Sequence, residues 1–149
     1  MSVWLFGRVS DKAMDKIQHL HFSYTTGYAR YASVSYSLEE DGQYTAQICP
    51  DGRPEEQTVS YVVPKDVAET IITLFRKYHV GRWNGFHKVD KHILDGRSFT
   101  LSVRFDSGST INAHGYMRWP KHYREIRAAL DRLFMSIYHE KQQETEESN

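Results

Sequence analysis

The stretch from Phe99 to Ala113, FTLSVRFDSGSTINA, constrains the fold more than any other part of the chain. Phe99, Leu101, Val103 and Phe105 alternate with Thr100, Ser102 and Arg104, the period of a strand that buries one face only. Asp106–Ser107–Gly108 follows, turn chemistry suited to a three-residue hairpin loop with Gly108 in the left-handed region. Closing that loop sets Val103 opposite Ile111 and Leu101 opposite Ala113, and leaves Arg104, Ser102, Asn112 and His114 together on the outer face. Such a hairpin needs further strands beside it and an apolar layer over its inner face.

Upstream segments supply both. Leu20, Phe22 and Tyr24 alternate with His19, His21, Ser23 and Thr25; Ala32, Val34, Tyr36 and Leu38 alternate with serines; Tyr44, Ala46 and Ile48 alternate with Thr45 and Gln47. The second and third of these are separated by Glu40–Asp41–Gly42, which reads as another three-residue loop closed by Gly42, with Leu38 facing Tyr44, Tyr36 facing Ala46 and Val34 facing Ile48. The turn at Thr26–Gly27–Tyr28 sets no clean register. A fourth strand over Thr58–Val63 runs into Pro64, which opens a helix to His79 with Val67, Ile71, Leu74, Phe75 and Tyr78 as its apolar stripe and Gly81 as its stop. A last helix starts at Pro120 and buries Tyr123, Ile126, Leu130, Leu133, Phe134 and Ile137. The expected fold is α+β: an antiparallel β-meander and a β-hairpin forming a curved sheet, covered on one face by two helices.

At 149 residues the chain fits one domain, expected over 1–139, and residues 140–149, without an apolar side chain, are expected as a disordered acidic tail. A lone Cys49 suits a reducing compartment, and no apolar run reaches the roughly 18 residues of a membrane span, so a cytoplasmic protein without a membrane partner is expected. The zero net charge hides a segregation. Residues 1–75 carry six basic and ten acidic groups, whereas residues 76–132 carry twelve basic and five acidic groups and five of the eight histidines.

Trp83–Asn84–Gly85–Phe86, Leu94–Asp95–Gly96, Ser98–Val103 and Gly115–Tyr116–Met117–Arg118–Trp119–Pro120, with His21–Gly27, span most of residues 17–134. These motifs resemble a family of small bacterial proteins without an assigned activity. The resemblance implies a bacterial origin and one compact domain and carries no chemistry. Trp83 and Trp119, each beside a helix boundary, are expected to be buried turn anchors.

Motifs for catalysis are lacking. His87, Asp90 and His92 form H-x2-D-x-H, but the spacing matches no compact zinc motif and lysines 88 and 91 flank it, so no metal or cofactor is expected. There is no G-x-S-x-G elbow, P-loop or dinucleotide fingerprint, and no catalytic residue can be named. Binding is the favoured class. The uncharged polar face with His19, His21, Ser35 and Gln47 points first to an unidentified protein partner. Basic residues interleaved with rings in 76–132, among them Arg104, His114, Lys121, Arg124 and Arg127, point second to nucleic acid or another anionic ligand. An enzyme of unidentified class is the third reading.

Overall fold

The structure, a computed structural model, describes residues 7–26, 33–93 and 96–148. The expected turn at Gly27–Tyr28 and the Leu94–Asp95 part of the LDG motif lie outside them. Seven strands, β1 (Ile17–Thr25), β2 (Ser33–Glu40), β3 (Tyr44–Cys49), β4 (Val59–Val63), β5 (His87–Val89), β6 (Ser98–Phe105) and β7 (Thr110–Tyr116), form one sheet in the order β4-β3-β2-β1-β6-β7-β5. Helix α1 (Asp66–Lys77) follows β4, and α2 (Tyr123–Ser148) closes the chain.

The fold class stands, but the sheet is not a pure meander. Its strands pair antiparallel except for β5, which runs parallel to β7 with His87 beside His114 and Val89 beside Tyr116. Alternation could not reveal β5: all three of its residues are exposed, and hydrophobic periodicity reports only strands with a buried side. Backbone bonds hold its ends, from His114 N to Phe86 O at 2.8 Å and from Asp90 N to Tyr116 O at 3.0 Å.

The second hairpin has the expected register, Val103 opposite Ile111 and Leu101 opposite Ala113, with Gly108 at φ 92°. The first does not. Gly42 has φ 97°, yet Glu40 pairs with Tyr44, Tyr36 with Ile48 and Leu38 with Ala46, a slide of two residues from the expected pairing. Gln43 belongs to the loop and Glu40 to the strand, where its carboxylate accepts from the Gly42 N–H at 3.1 Å. A two-residue slide keeps every side chain on its own face, which is why the core sorts correctly under either register. Between β1 and β2 the pairing is regular, with Phe22 opposite Tyr36 and Ser23 opposite Ser35.

Both helices bury their stripes against the same sheet face. Val67, Ala68, Ile71, Ile72 and Phe75 of α1 and Tyr123, Ile126, Leu130 and Phe134 of α2 join Leu20, Phe22, Tyr36, Ile48, Leu101 and Ile111 of the strands in one core. Gly81 is not the stop of α1. The helix ends at Lys77 and the chain turns at His79, whose backbone is left-handed at φ 55°. Gly81 is required for another reason: a Cβ there would lie 1.9 Å from the Val9 carbonyl oxygen, against which the chain closes through a Val9 N to Gly81 O bond of 3.0 Å.

A polar hub ties α2 to the sheet. Asp131 Oδ1 accepts from Tyr24 Oη at 2.6 Å and Tyr36 Oη at 2.7 Å, and the Arg127 guanidinium lies 4.0 Å from the centre of the Tyr24 ring. Burial, then the Asp131 bond, pushes the Tyr24 phenol up to about 12 and Tyr36 higher still. The segment 140–149, expected to be disordered, is helical as far as Ser148. Its Lys, Gln and Glu are good helix formers that extend an existing helix without a new nucleus, and Gln142 Nε2 donates to Tyr61 Oη of β4 at 3.0 Å. Among the described residues no helix is long and apolar enough to cross a membrane.

Candidate functional site

The loop between β7 and α2 builds the most distinctive surface of the molecule. Gly115 starts it. A Cβ at this position would sit 2.1 Å from the Arg118 carbonyl oxygen and 2.6 Å from Phe99, so only glycine lets the chain fold back over the end of β7. Met117 and His122 are both left-handed, at φ 55° and 68°. Non-glycine residues hold such angles only where the surroundings impose them, and here both fall within the six residues that join β7 to α2. Two bonds fix the reversal: Met117 N donates to Arg97 O at 2.8 Å, and the Trp83 indole N–H donates to Lys121 O at 3.1 Å.

Trp119 sits at the crest. Its ring stacks on Tyr123, with centroids 4.8 Å apart and planes inclined by 26°, and Phe99 lies 5.8 Å away. Trp83 joins the same cluster, 6.0 Å from Phe99, and is buried as expected at 3% exposure. Trp119 is not. It is 41% exposed, a correction to the expected buried anchor, because the reversed loop props its ring on Tyr123 at the surface.

Two hollows meet at this ridge and share Trp119, Pro120 and His122. One, of about 410 Å³, has Arg97, Arg124 and Arg127 in its walls; the other, of about 340 Å³, has Arg82, Lys88 and Lys121 with the rings of Tyr78 and Phe86. Among the described residues Glu125 is the only acidic one lining either, and its carboxylate lies 3.8 Å from His122 Nδ1. Arg127 is held in place by the Tyr24 ring and by Asp131 Oδ2, 3.8 Å from its Nε. Six of the twelve basic groups of residues 76–132 therefore line the two hollows that share Trp119.

The residues singled out from sequence fall into two sets. Lys121, Arg124 and Arg127 belong to the cleft. Arg104, His114, His19, His21, Ser35 and Gln47 lie on the sheet face away from the helices, in cross-strand rows such as Gln47–Ser37–His21–Ser102–Asn112. Arg104 donates from Nε to Gln18 Oε1 at 3.3 Å, His114 Nδ1 bonds Thr100 Oγ1 at 3.2 Å, and His19 bonds Glu39. His21 bonds Ser37 at 2.8 Å, and partial burial lowers its affinity for a proton, with His19 adding repulsion. His21 and Ser35 line another, smaller hollow of about 240 Å³. Sequence reasoning missed Arg82, Lys88, Arg97 and His122 as members of the cleft, because nothing in their spacing announces that α1's end, the start of β6 and the loop before α2 converge.

His87, Asp90 and His92 do not assemble a ligand set. Asp90 Oδ1 instead accepts from the His92 backbone N–H at 3.1 Å, and among the described residues no three His, Cys, Asp or Glu side chains converge. Cys49 is buried beside the Arg53 and Pro54 carbonyls. No protein-family model matches the chain, and no curated protein matches it either.

Proposed function

We propose that this protein is a non-enzymatic binding module whose ligand is an anion bearing a flat ring, held in the cleft around Trp119. The observation that carries this reading is the exposed indole, backed by Tyr123, with three cations in each of the two hollows it lines. Guanidinium and ammonium groups neutralise phosphate or carboxylate, and a supported indole offers a π-face for stacking. The left-handed backbone at Met117 and His122 holds the ring in position before a ligand arrives, which lowers the ordering cost of binding.

Tryptophan fluorescence during titration with a nucleoside monophosphate and with inorganic pyrophosphate tests the reading. Quenching that saturates with the ring-bearing anion, and that disappears in Trp119→Ala, is expected. Arg97→Glu and Arg124→Glu, both exposed, should each weaken binding by about tenfold while leaving the melting temperature unchanged. The absence of any saturable response to either probe would sink the proposal.

A protein partner on the open sheet face is a second reading, favoured by one observation: a continuous polar surface crosses the sheet on the face that α1 and α2 leave uncovered. Introducing arginine at Ser35 or Gln47 would then abolish partner capture without touching the cleft.

A further inference from the structure

We infer that the ligand of the cleft is a single strand of nucleic acid that crosses the Trp119–Pro120 ridge, with one base stacked on Trp119 and phosphates entering both hollows. This rests on the binding role proposed for the same cleft and narrows it to a ligand class.

The two-sidedness of the site is the argument. A compact anion needs one hollow and one set of cations. Here the cations are divided between two hollows, with Arg97, Arg124 and Arg127 lining one and Arg82, Lys88 and Lys121 lining the other. A polynucleotide has that arrangement of charge, since every internal base is flanked by a phosphate on its 5′ and its 3′ side. The hollows, about 410 and 340 Å³, have Trp119, Pro120 and His122 in common and otherwise separate linings, so an occupant of both must reach from one into the other.

The aromatic content excludes a duplex. Bases within a duplex stack on one another and present phosphates only, leaving an exposed indole without a role, whereas an unpaired base offers its face to any ring. Trp119 is prepared for such a partner because one of its faces rests on Tyr123 and 41% of the residue remains open. In the second hollow Tyr78 and Phe86 add further rings, and Lys88 Nζ lies over the Phe86 ring, 5.4 Å from its centre, as a cation within reach of a phosphate in that hollow. An acidic peptide would satisfy the cations but not the rings. Stacking without base-edge readout predicts little sequence preference.

The test is fluorescence anisotropy with labelled oligothymidylate of eight residues, in competition with thymidine monophosphate, a duplex of equal length and heparin. Tight binding at low salt, more than about tenfold stronger for the octamer than for the monophosphate, is expected, with a log–log salt slope near −0.7 for each phosphate neutralised. Arg97→Glu and Arg82→Glu, one in each hollow, should each weaken the octamer by about tenfold, Trp119→Ala likewise, and Trp119→Phe should restore most of the loss. Circular dichroism melting of each variant reports whether it is folded. Equal affinity for monophosphate and octamer, or sensitivity to only one of the two hollows, would overturn the strand and leave the anion-binding role intact. Equal competition by duplex or heparin would likewise overturn the strand, as binding of polyanions in general. No binding of monophosphate, pyrophosphate or octamer would remove both readings together.

Discussion

Two tryptophans with similar sequence surroundings have opposite fates. Trp83 fills the space beneath the start of α2 and donates its indole N–H to Lys121 O, so Trp83→Ala removes a buried ring and frees the loop that carries Trp119. A loss of about 3–5 kcal/mol in urea denaturation is expected, with Trp83→Phe recovering the packing but not the hydrogen bond. Trp119→Ala should cost no more than about 1 kcal/mol by the same measurement, since much of its ring already faces water. A large loss for Trp119→Ala would return that residue to the buried-anchor role its sequence setting suggested. The setting alone, a large ring beside a proline and a helix start, was equally true of an anchor and a platform. What separates them is the tertiary path through Gly115, Met117 and His122, and no local pattern encodes a left-handed histidine or methionine. Gly81 taught the same lesson in reverse, since a glycine after a helix reads as a stop, and the contact with Val9 that requires it comes from a distant segment.

The strands and helices were legible wherever one face is buried and the period is clean. That covers β1 to β4, β6, β7 and both stripes, and it fails for β5, which buries nothing, and for the slide between β2 and β3, to which face-sorting is blind. The Asp131 hub was invisible for a different reason: Tyr24 and Tyr36 alternate as core residues, and only the packed helix shows their hydroxyls meeting one carboxylate. That hub carries a pH signature. An ordinary tyrosine titrates near 10, and burial with the Asp131 bond pushes Tyr24 to about 12 and Tyr36 beyond it. Below the unfolded value both states hold the proton and the stabilisation is complete. Above it the unfolded chain releases protons that the folded chain retains, so stability falls as pH rises from about 10 towards 12. Urea midpoints measured across that window should drop steeply in the native protein and more shallowly in the Tyr24→Phe, Tyr36→Phe double variant. An unchanged slope in the double variant would show that other groups control alkaline unfolding.

A second segregation of charge runs along one helix of the molecule, α2. α2 begins in the cleft, crosses the strands through Asp131 on Tyr24 and Tyr36, and reaches the edge strand β4 where Gln142 meets Tyr61. Of its four basic residues Arg124 and Arg127 lie at the cleft end, and Glu144, Glu146 and Glu147 lie at the other, with Lys141 beside Glu144. The segregation itself was readable from residue counts, and its geometry was not, because the tail has no apolar stripe from which to infer a helix. At 1.5 Å per residue the nearest of these glutamates is about 25 Å along the axis from Arg127. That distance is about three screening lengths at 0.15 M salt, so the acidic end neither shields the cleft nor competes for it. Truncation after Gln142, which keeps the bond to Tyr61, should therefore leave affinity for an anionic ligand within about twofold at 0.15 M salt. Near 0.01 M salt the screening length grows to about 30 Å, and removing the glutamates should then strengthen binding measurably. A tail that folded back over the cleft would give the opposite pattern, a several-fold gain already at 0.15 M salt, and anisotropy titrations of the full and truncated chains at the two salt concentrations distinguish the cases.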